Sequence, residues 1–487
     1  MNSHYSYIRK LLCTAIAASL LLTACGSDSQ DAETTTDLDN ATTPIEETTI
    51  LTDDVPELDF DGAQFRTIEQ ESTYYGFYSD EANGDVLNDV IYERNNAIEE
   101  RFNMEFAETM RIVYGEISTM VKKSVMSGSD EFDLVFGQTF QSAADSQEGI
   151  FYDWNEVPYV DFTKPWYTKS IQDASIGDRL YLIESDLSIG YLQQTWMMLY
   201  NKTKAEELGN IPDLYQMVED GTWTIDELDR LSRDVYIDVN GDTTRDDGDF
   251  YGFAGTRDGC MFVAFVYGCD GRFMSLDDDL NIVQHINSEK TISILEKLSK
   301  LFVSNTGTLQ KENAFTRQDI FPKGIVLFEP MQMHDLLKPE FDMRNMEDEF
   351  GVLPIPKYDA EQEEYYTVVD GGADIMVIPT TVSNIEFVGA IVEAMSAASY
   401  NDVIPVYMGQ AIEQKGARDE ESIKILREIL DSRVIDFAYL YDGFKGWAMK
   451  LPGLILSPDT IASSIDSQLP AVTDYYEGVV ELMTENE

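Results

Sequence analysis

Histidine is nearly absent: the chain holds only His4, His285 and His334. His285 in Val283-Gln284-His285-Ile286 and His334 after Met333 have no companion at metal-ligand spacing, so both are expected to be packed or surface residues. There is no H-E-x-x-H, G-x-S-x-G, P-loop or C-x-x-C, which removes the motif evidence for zinc proteases, serine hydrolases, nucleotide hydrolases and thiol oxidoreductases. Basic residues are scarce too, 34 Lys and Arg against 90 Asp and Glu, for a formal net charge of -56. Such a surface repels phosphate backbones and anionic headgroups, which excludes nucleic acid as a partner. Beyond the N-terminal region no segment has 18 uninterrupted apolar residues, where a spanning helix needs about 20. No repeat of 20 to 50 residues is present.

What is there begins with a leader. Arg9 and Lys10 precede an apolar run over 11–22 that ends at Leu22-Thr23-Ala24-Cys25. A run of about a dozen apolar residues is too short to span a bilayer, so residues 1–24 are read as a signal peptide. The small residues before Cys25 resemble a bacterial lipoprotein lipobox. That resemblance implies acyl chains on Cys25, each buried CH₂ contributing roughly 0.8 kcal/mol to membrane anchoring. Residues 25–55 are rich in Thr, Asp and Glu and are expected to form a disordered, self-repelling tether. Cys13 leaves with the leader. Cys260 and Cys269 either bridge, as an exported chain permits, or stay as two small hydrophobes.

At 43% hydrophobic and 11% aromatic the chain can build real cores. Residues 64–68 read as a strand. Leu87, Val90, Ile91, Ile98 and Phe102 recur at the helical period, Met104-Glu105-Phe106 reads as a short strand, and Ile117, Met120, Val121 and Val125 form a second helical stripe closed by Gly128. A buried strand over 132–136 then leads into Gly137-Gln138-Thr139. A second unit starts with a strand at 195–200 and a helix ending near Gly209. Thr224 with Glu227 forms a capping box ahead of the apolar face Ile225, Leu228, Leu231 and Val235. Strands are predicted again at 324–329, 351–356 and 371–378, with helices from Ser383 onward. This alternation predicts mostly parallel sheets covered by helices, with ligands at the carboxyl ends of the strands.

Asp85-Val86-Leu87-Asn88-Asp89 with Glu93-Arg94-Asn95, Leu199-Tyr200-Asn201-Lys202, Gly221-Thr222-Trp223-Thr224, Asp238-Val239-Asn240-Gly241-Asp242 through Tyr251-Gly252, and Gly351-Val352-Leu353-Pro354-Ile355-Pro356 follow one another behind the lipobox. In that order they resemble the extracellular solute-binding proteins of ABC importers, particularly the sugar-binding branch. The resemblance implies an α/β, two-lobe periplasmic-binding-protein-like fold, with mixed, mostly parallel sheets flanked by helices and a hinge between the lobes. By analogy the first lobe is 56–186 plus 371–435, and the second is 187–370 plus 436–487. The resemblance further implies a monomeric, lipid-anchored receptor on the extracytoplasmic face that passes a sugar or oligosaccharide to a membrane permease and requires no cofactor. An exported carbohydrate-active enzyme, or a peptide or polyamine receptor of the same fold, are the alternatives; with 90 acidic residues no sequence pair singles out a catalytic acid and base.

An aromatic ring covers the C–H face of a sugar while carboxylates and amides bind its hydroxyls. By position the candidates are Tyr74 and Tyr75 after the first strand, Gln138 after the buried strand, Trp196 past the first crossing and Glu329 after Phe328. Gly371, Gly372 and Asp374 mark the second crossing, and Trp447 lies in a glycine-flanked loop near the last. Gly371-Gly372 is also readable as a turn with an unusual backbone angle. Separately, residues 238–249 resemble a calcium loop, with Asp238, Asn240, Asp242, Asp246 and Asp249 offering side-chain oxygens and Thr244 its carbonyl. Two departures stand out: Thr243 where the turn wants Gly, and Asp249 where a longer Glu is usual. A structural Ca²⁺ or a metal-free Asx-rich turn both fit.

Overall fold

The structure is a computed structural model describing residues 50–485 apart from 72–75, 114, 313–319, 339–340 and 414–419. The leader, Cys25, Tyr74 and Tyr75 lie outside the described residues. The expected tether ends earlier than 55. Asp53 forms a two-pronged pair with Arg101, both contacts at 2.7 Å, and Asp54 pairs with Lys164 at 2.6 Å. Leu51 exchanges two hydrogen bonds with the Asn401 amide, so the acidic run from 51 docks on cations of the folded part.

Residues 64–68 form not one strand but two, β1 (Ala63–Phe65) and β2 (Thr67–Gln70). They break at Arg66, whose guanidinium is held by Asp133 and Asp130, each at 2.7 Å, and whose N–H donates to Asp133 Oδ2. Helix α1 (Val86–Phe102) is capped by Asp85, which accepts from Leu87 and Asn88 N–H, and buries Leu87, Ile91, Ile98 and Phe102 as the apolar period predicts. β3 (Met104–Phe106) pairs with β1, whereas β4 (Met110–Ile112) joins β2. α2 (Ile117–Ser127) stops at Gly128 in the left-handed region, and β5 (Leu134–Gln138) runs straight into α3 (Thr139–Ser146).

After a short α4 (Ile189–Leu192) the second unit begins with β6 (Trp196–Asn201), α5 (Lys202–Leu208), α6 (Leu214–Glu219) and α7 (Ile225–Ser232). It continues through β7 (Tyr236–Ile237), β8 (Phe250–Thr256), α8 (Gly259–Gly268), the hairpin β9 (Met274–Leu276) and β10 (Ile282–Gln284), and α9 (Glu289–Ser299). β11 (Thr308–Lys311), β12 (Val326–Gln332) and β13 (Phe350–Leu353) complete it. β14 (Asp374–Val377) returns to the first sheet, followed by α10 (Ile385–Ala398), α11 (Ile404–Glu413), α12 (Glu420–Asp431), α13 (Phe437–Leu440), α14 (Leu451–Ile455) and α15 (Ile461–Glu485).

Two mixed sheets result. The first has the order β14-β5-β2-β4, parallel except for β14; the second has the order β11-β8-β12-β6-β13, in which β6 runs against its neighbours. Three sequence readings need correction, and one left open is settled. Thr224 caps α7, but the Glu227 carboxylate bonds to Arg230 instead of closing the capping box, and Val235 lies past the end of that helix. Cys260 and Cys269 are both buried and unbridged; Cys260 lies in the first turn of α8 and Cys269 at its C-cap, nine residues of helical rise or about 13 Å apart, too far for a disulfide. α12, placed by analogy in the first lobe, packs on β13 of the second, with Ser422 bonded to Tyr215 at 2.7 Å and Lys424 to Glu219 at 2.8 Å. Strand β12 does not stop at Glu329 but passes Pro330 to Gln332.

Candidate ligand-binding site between the lobes

Three chain segments join the two sheets. The first runs from Glu184 to Thr195, the second from Thr367 to Gly372, and the third passes Arg433. Thr195 bridges Val369, and Thr367 bridges Arg433, so the segments form a small ribbon sewn by Trp196 N–H to Val368 O at 3.1 Å and Val434 N–H to Thr367 O at 2.9 Å. Inside it Arg433 meets Glu184 at 3.2 Å, both buried.

Beside that pair, burial holds the Asp186 carboxyl up at about 8 against 3.8, although Arg433 pulls it partway back. The folded state therefore keeps a proton that the unfolded chain releases. The stability this contributes is complete below about pH 4 and disappears as pH rises through 8. Melting is expected at lower temperature at pH 8 than at pH 5, and Asp186→Asn, which stays neutral, should flatten that fall; an identical slope in the variant would refute the assignment.

The carboxyl ends of both sheets face this ribbon. From the first come Gln70 at the end of β2 and Gln138 at the end of β5; from the second come Gln332 at the end of β12 and Asp258 just past β8. The second crossing threads between them. Asp370 accepts from Gln332 Nε2 at 2.9 Å, its N–H donates to Gln194 O, and Asp374 accepts from Gln70 Nε2. Gln138 is held at both ends of its amide, its Nε2 donating to Gly371 O at 2.8 Å and its Oε1 accepting from Gln141 N–H at 2.7 Å. Phe140 on α3 packs edge-on against Tyr439, 5.4 Å between centroids, and against Phe444, 5.2 Å. Phe444 is 56% exposed and sits at φ 61.

Gln138, Gly371, Gly372 and Asp374 thus gather at the junction. Neither glycine has a positive φ; Gly371 is needed because a Cβ would overlap the Phe140 ring. The other assignments move. Trp196 and Trp447 are both 0% exposed, so neither presents a face to a ligand in this conformation. Glu329 is buried in the middle of β12, opposite Leu199. The residues missed are Gln70, Gln332, Asp370 and Phe444. Phe444 lies in the glycine-flanked loop that drew attention to Trp447, and Gln332 lies past a proline that normally argues against a central strand.

The loop over 238–249 folds as consecutive Asx turns. Asp238 accepts from Gly241 and Thr243 N–H, Asn240 from Asp242 N–H, Asp242 from Thr244 N–H, and Asp246 from Gly248 N–H. Asp249 is buried and accepts from the Tyr236 hydroxyl at 2.9 Å. Among the described residues no three of its carboxylates converge within 4.8 Å, and several of its side-chain oxygens accept from the loop's own N–H groups.

Two α/β lobes, three crossings and a junction fed by the carboxyl ends of both sheets define the two-lobe fold of periplasmic-type solute-binding proteins. Solved structures of that class superpose on the chain. The cyclic α-maltosyl-1,6-maltose binding protein of Arthrobacter globiformis matches at a TM-score of 0.59, 14% identity, over 85% of this chain and 99% of that one. The GacH receptor of Streptomyces glaucescens, solved unliganded and with acarbose, matches at 0.53 and 13% over 86% and 99%. An ABC transporter solute-binding protein of Thermotoga lettingae, bound to α-D-tagatose, matches at 0.52 and 14% over 87% and 100%. No family model and no curated protein matches the sequence. No described helix is long and apolar enough to cross a membrane.

Proposed function

We propose that this chain is the substrate-binding receptor of an ABC importer, capturing a sugar or short oligosaccharide where its lobes meet. The observation that carries the reading is the junction itself: amide and carboxylate side chains from both sheets beside one exposed aromatic, Phe444. Rings cover sugar C–H faces, and Gln and Asp groups bind hydroxyls. Fold neighbours whose structures hold acarbose, tagatose and maltotetraose support it. Ligand contact with both lobes would favour the closed state, which a membrane permease partner would read. In this reading the chain binds and does not catalyse, works as a monomer, and is held at the membrane by lipid on Cys25 after removal of the leader. Cys25→Ala should then release it from the membrane fraction.

The deciding experiment is a thermal-shift screen of the chain from residue 26 against mono- and oligosaccharides, peptides and polyamines. A ligand at 100 times its Kd adds about 2.7 kcal/mol. A shift with one glycan class supports the reading; a response to peptides or polyamines alone keeps the receptor and discards the sugar. Phe444 offers a sharper check. A non-glycine residue in the left-handed region costs on the order of 1 kcal/mol, so Phe444→Gly relieves strain while removing the ring. Its stability should change by less than about 1 kcal/mol while glycan affinity falls roughly tenfold, the ~1.4 kcal/mol of a lost stacking contact. Unchanged affinity would remove Phe444 from the site.

A further inference from the structure

Phe444, the exposed ring at the junction, is held in a conformation that it would not adopt unaided. It follows Gly443, and the two lie one after the other in the left-handed region, at φ 54 and φ 61. Glycine enters that region freely and phenylalanine does not, so Phe444 stays there only because its surroundings fix it. The fixing groups converge on Asp442. Its backbone carbonyl accepts from the N–H groups of Lys445 and Gly446, each at 2.9 Å. Its carboxylate accepts from Ala448 N–H at 2.9 Å, and the Phe444 N–H is turned to the same carboxylate. One residue thereby ties down the backbone on both sides of the ring, and Lys450 Nζ closes the far end of the loop on Lys445 O at 2.8 Å.

The last helix sets the path of the loop from beneath. On α15 the Tyr475 hydroxyl donates to Tyr441 O at 2.9 Å. The hydroxyls of Tyr475 and Tyr476 lie where a Cβ on Gly443 and on Gly446 would be, and Asp442 Oδ2 takes up part of the same space at Gly446. The two glycines around the ring are therefore required by contact as well as by backbone angle at Gly443, and the carboxylate is pressed between the loop and the helix.

We propose that Asp442 is the positioning residue for Phe444: it sets the ring at the junction without touching a ligand, and the loop it holds opens more readily once its carboxylate is charged. The first part follows from the bonding, the second from burial. Asp442 is 0% exposed. Burial pushes its carboxyl up to about 6 against 3.8, although the Ala448 N–H, the Lys450 charge and the Phe444 N–H draw it back. Opening the loop admits water to the carboxylate, so the closed loop keeps a proton that the open one releases. The extra hold is complete below about pH 4 and is lost as pH rises through 6. Lys450 and, on α15, Tyr475 and Tyr476 face the carboxylate; burial and the Asp442 charge keep Tyr475 up at about 12 and Tyr476 well above 10, so neither tyrosine changes charge in this window. The inference rests on Phe444 as the ring that meets the ligand, but its test reads the loop without ligand, so the two fail separately.

The test is amide hydrogen exchange of the full chain, read by mass spectrometry on peptides covering 441–450 and corrected for the intrinsic effect of pH on exchange. In the unsubstituted protein, protection of the loop should fall roughly tenfold from pH 5 to pH 7.5. Asp442→Asn keeps an acceptor for the Ala448 N–H and never ionises, so its loop should stay protected at both pH values. Asp442→Ala loses the acceptor, and its loop should be at least tenfold less protected than that of Asp442→Asn at both. Equal protection of the unsubstituted loop at the two pH values overturns the proposal, as does a fall that survives Asp442→Asn or an Asp442→Ala loop as well protected as that of Asp442→Asn. If Asp442→Ala fails to fold, the unsubstituted protein and Asp442→Asn decide the matter between them. The expected exchange pattern together with unchanged glycan affinity in Phe444→Gly upholds the clamp and removes the ring from the ligand site.

Discussion

Arg433→Ala is expected to cost about 3–5 kcal/mol of folding stability. The guanidinium reaches Glu184 across the hinge at 3.2 Å, and the Glu184 side chain is wholly inaccessible while that of Arg433 is 8% exposed. Burial already pushes the Glu184 carboxyl above its usual range, with the Arg433 charge and the Thr168 N–H opposing that push. Removing the cation leaves a buried carboxylate that must either stay charged without its partner or take up a proton, and both outcomes cost free energy. Arg433 Nε also donates to Leu430 O at 2.8 Å, so alanine loses the anchor between α12 and the third crossing as well. Denaturant unfolding of the variant reads the loss, and a change under about 1 kcal/mol would mean that the pair is not what holds the ribbon. Glu184→Gln with Arg433→Met should recover most of it, since replacing a buried ion pair by neutral groups of similar volume is often close to neutral. That contrast separates the penalty of an orphaned charge from loss of packing.

The glycan screen meets the same hinge. A ligand shifts lobe closure only by its differential affinity for the two states, so a hinge loosened by Arg433→Ala would weaken apparent affinity without touching any group at the junction.

Periodicity reports which face of an element is buried, and there the sequence was legible. Leu87, Ile91, Ile98 and Phe102 line the inner face of α1, and Gly128 stops α2. The helix-covered sheets with ligand loops at the strands' carboxyl ends follow from the same alternation, whereas the two lobes came from the resemblance to solute-binding proteins; Gln138, chosen for its place after a strand, and Asp374, chosen as a mark of the second crossing, are paired opposite each other across β5 and β14. The rest of the junction was hidden for two physical reasons. Gln70, Gln332 and Asp370 are ordinary polar residues that matter only because strands hundreds of residues apart end side by side. Pro330, moreover, cannot donate in a sheet, so the strand carrying Gln332 looked finished at Glu329. Depth was the second obstacle: nothing in Gly443-Phe444-Lys445-Gly446-Trp447 tells which ring turns outward, and the structure puts Phe444 out and Trp447 in.

Trp196→Ala puts that distinction to its strongest test. Trp196 opens β6, pairs with Gln332 across β12, and its carbonyl accepts from Thr367 Oγ1 at 2.7 Å, all at 0% exposure. Truncating so large a buried side chain leaves a cavity that the paired strands cannot collapse into, and the expected loss is about 3–5 kcal/mol. Because the cavity opens at the start of the strand next to the first crossing, the variant should unfold at lower denaturant with an unchanged slope, the signature of lost stability without altered compactness. Glycan affinity, measured where the variant is still fully folded, should stay within about threefold, the ~0.6 kcal/mol expected when no ligand contact is removed. Phe444→Gly should do the reverse, holding stability and losing affinity. If Trp196→Ala instead weakens binding tenfold at little cost in stability, the indole reaches the ligand in the closed state, and β6 opens onto the cleft with its first side chain.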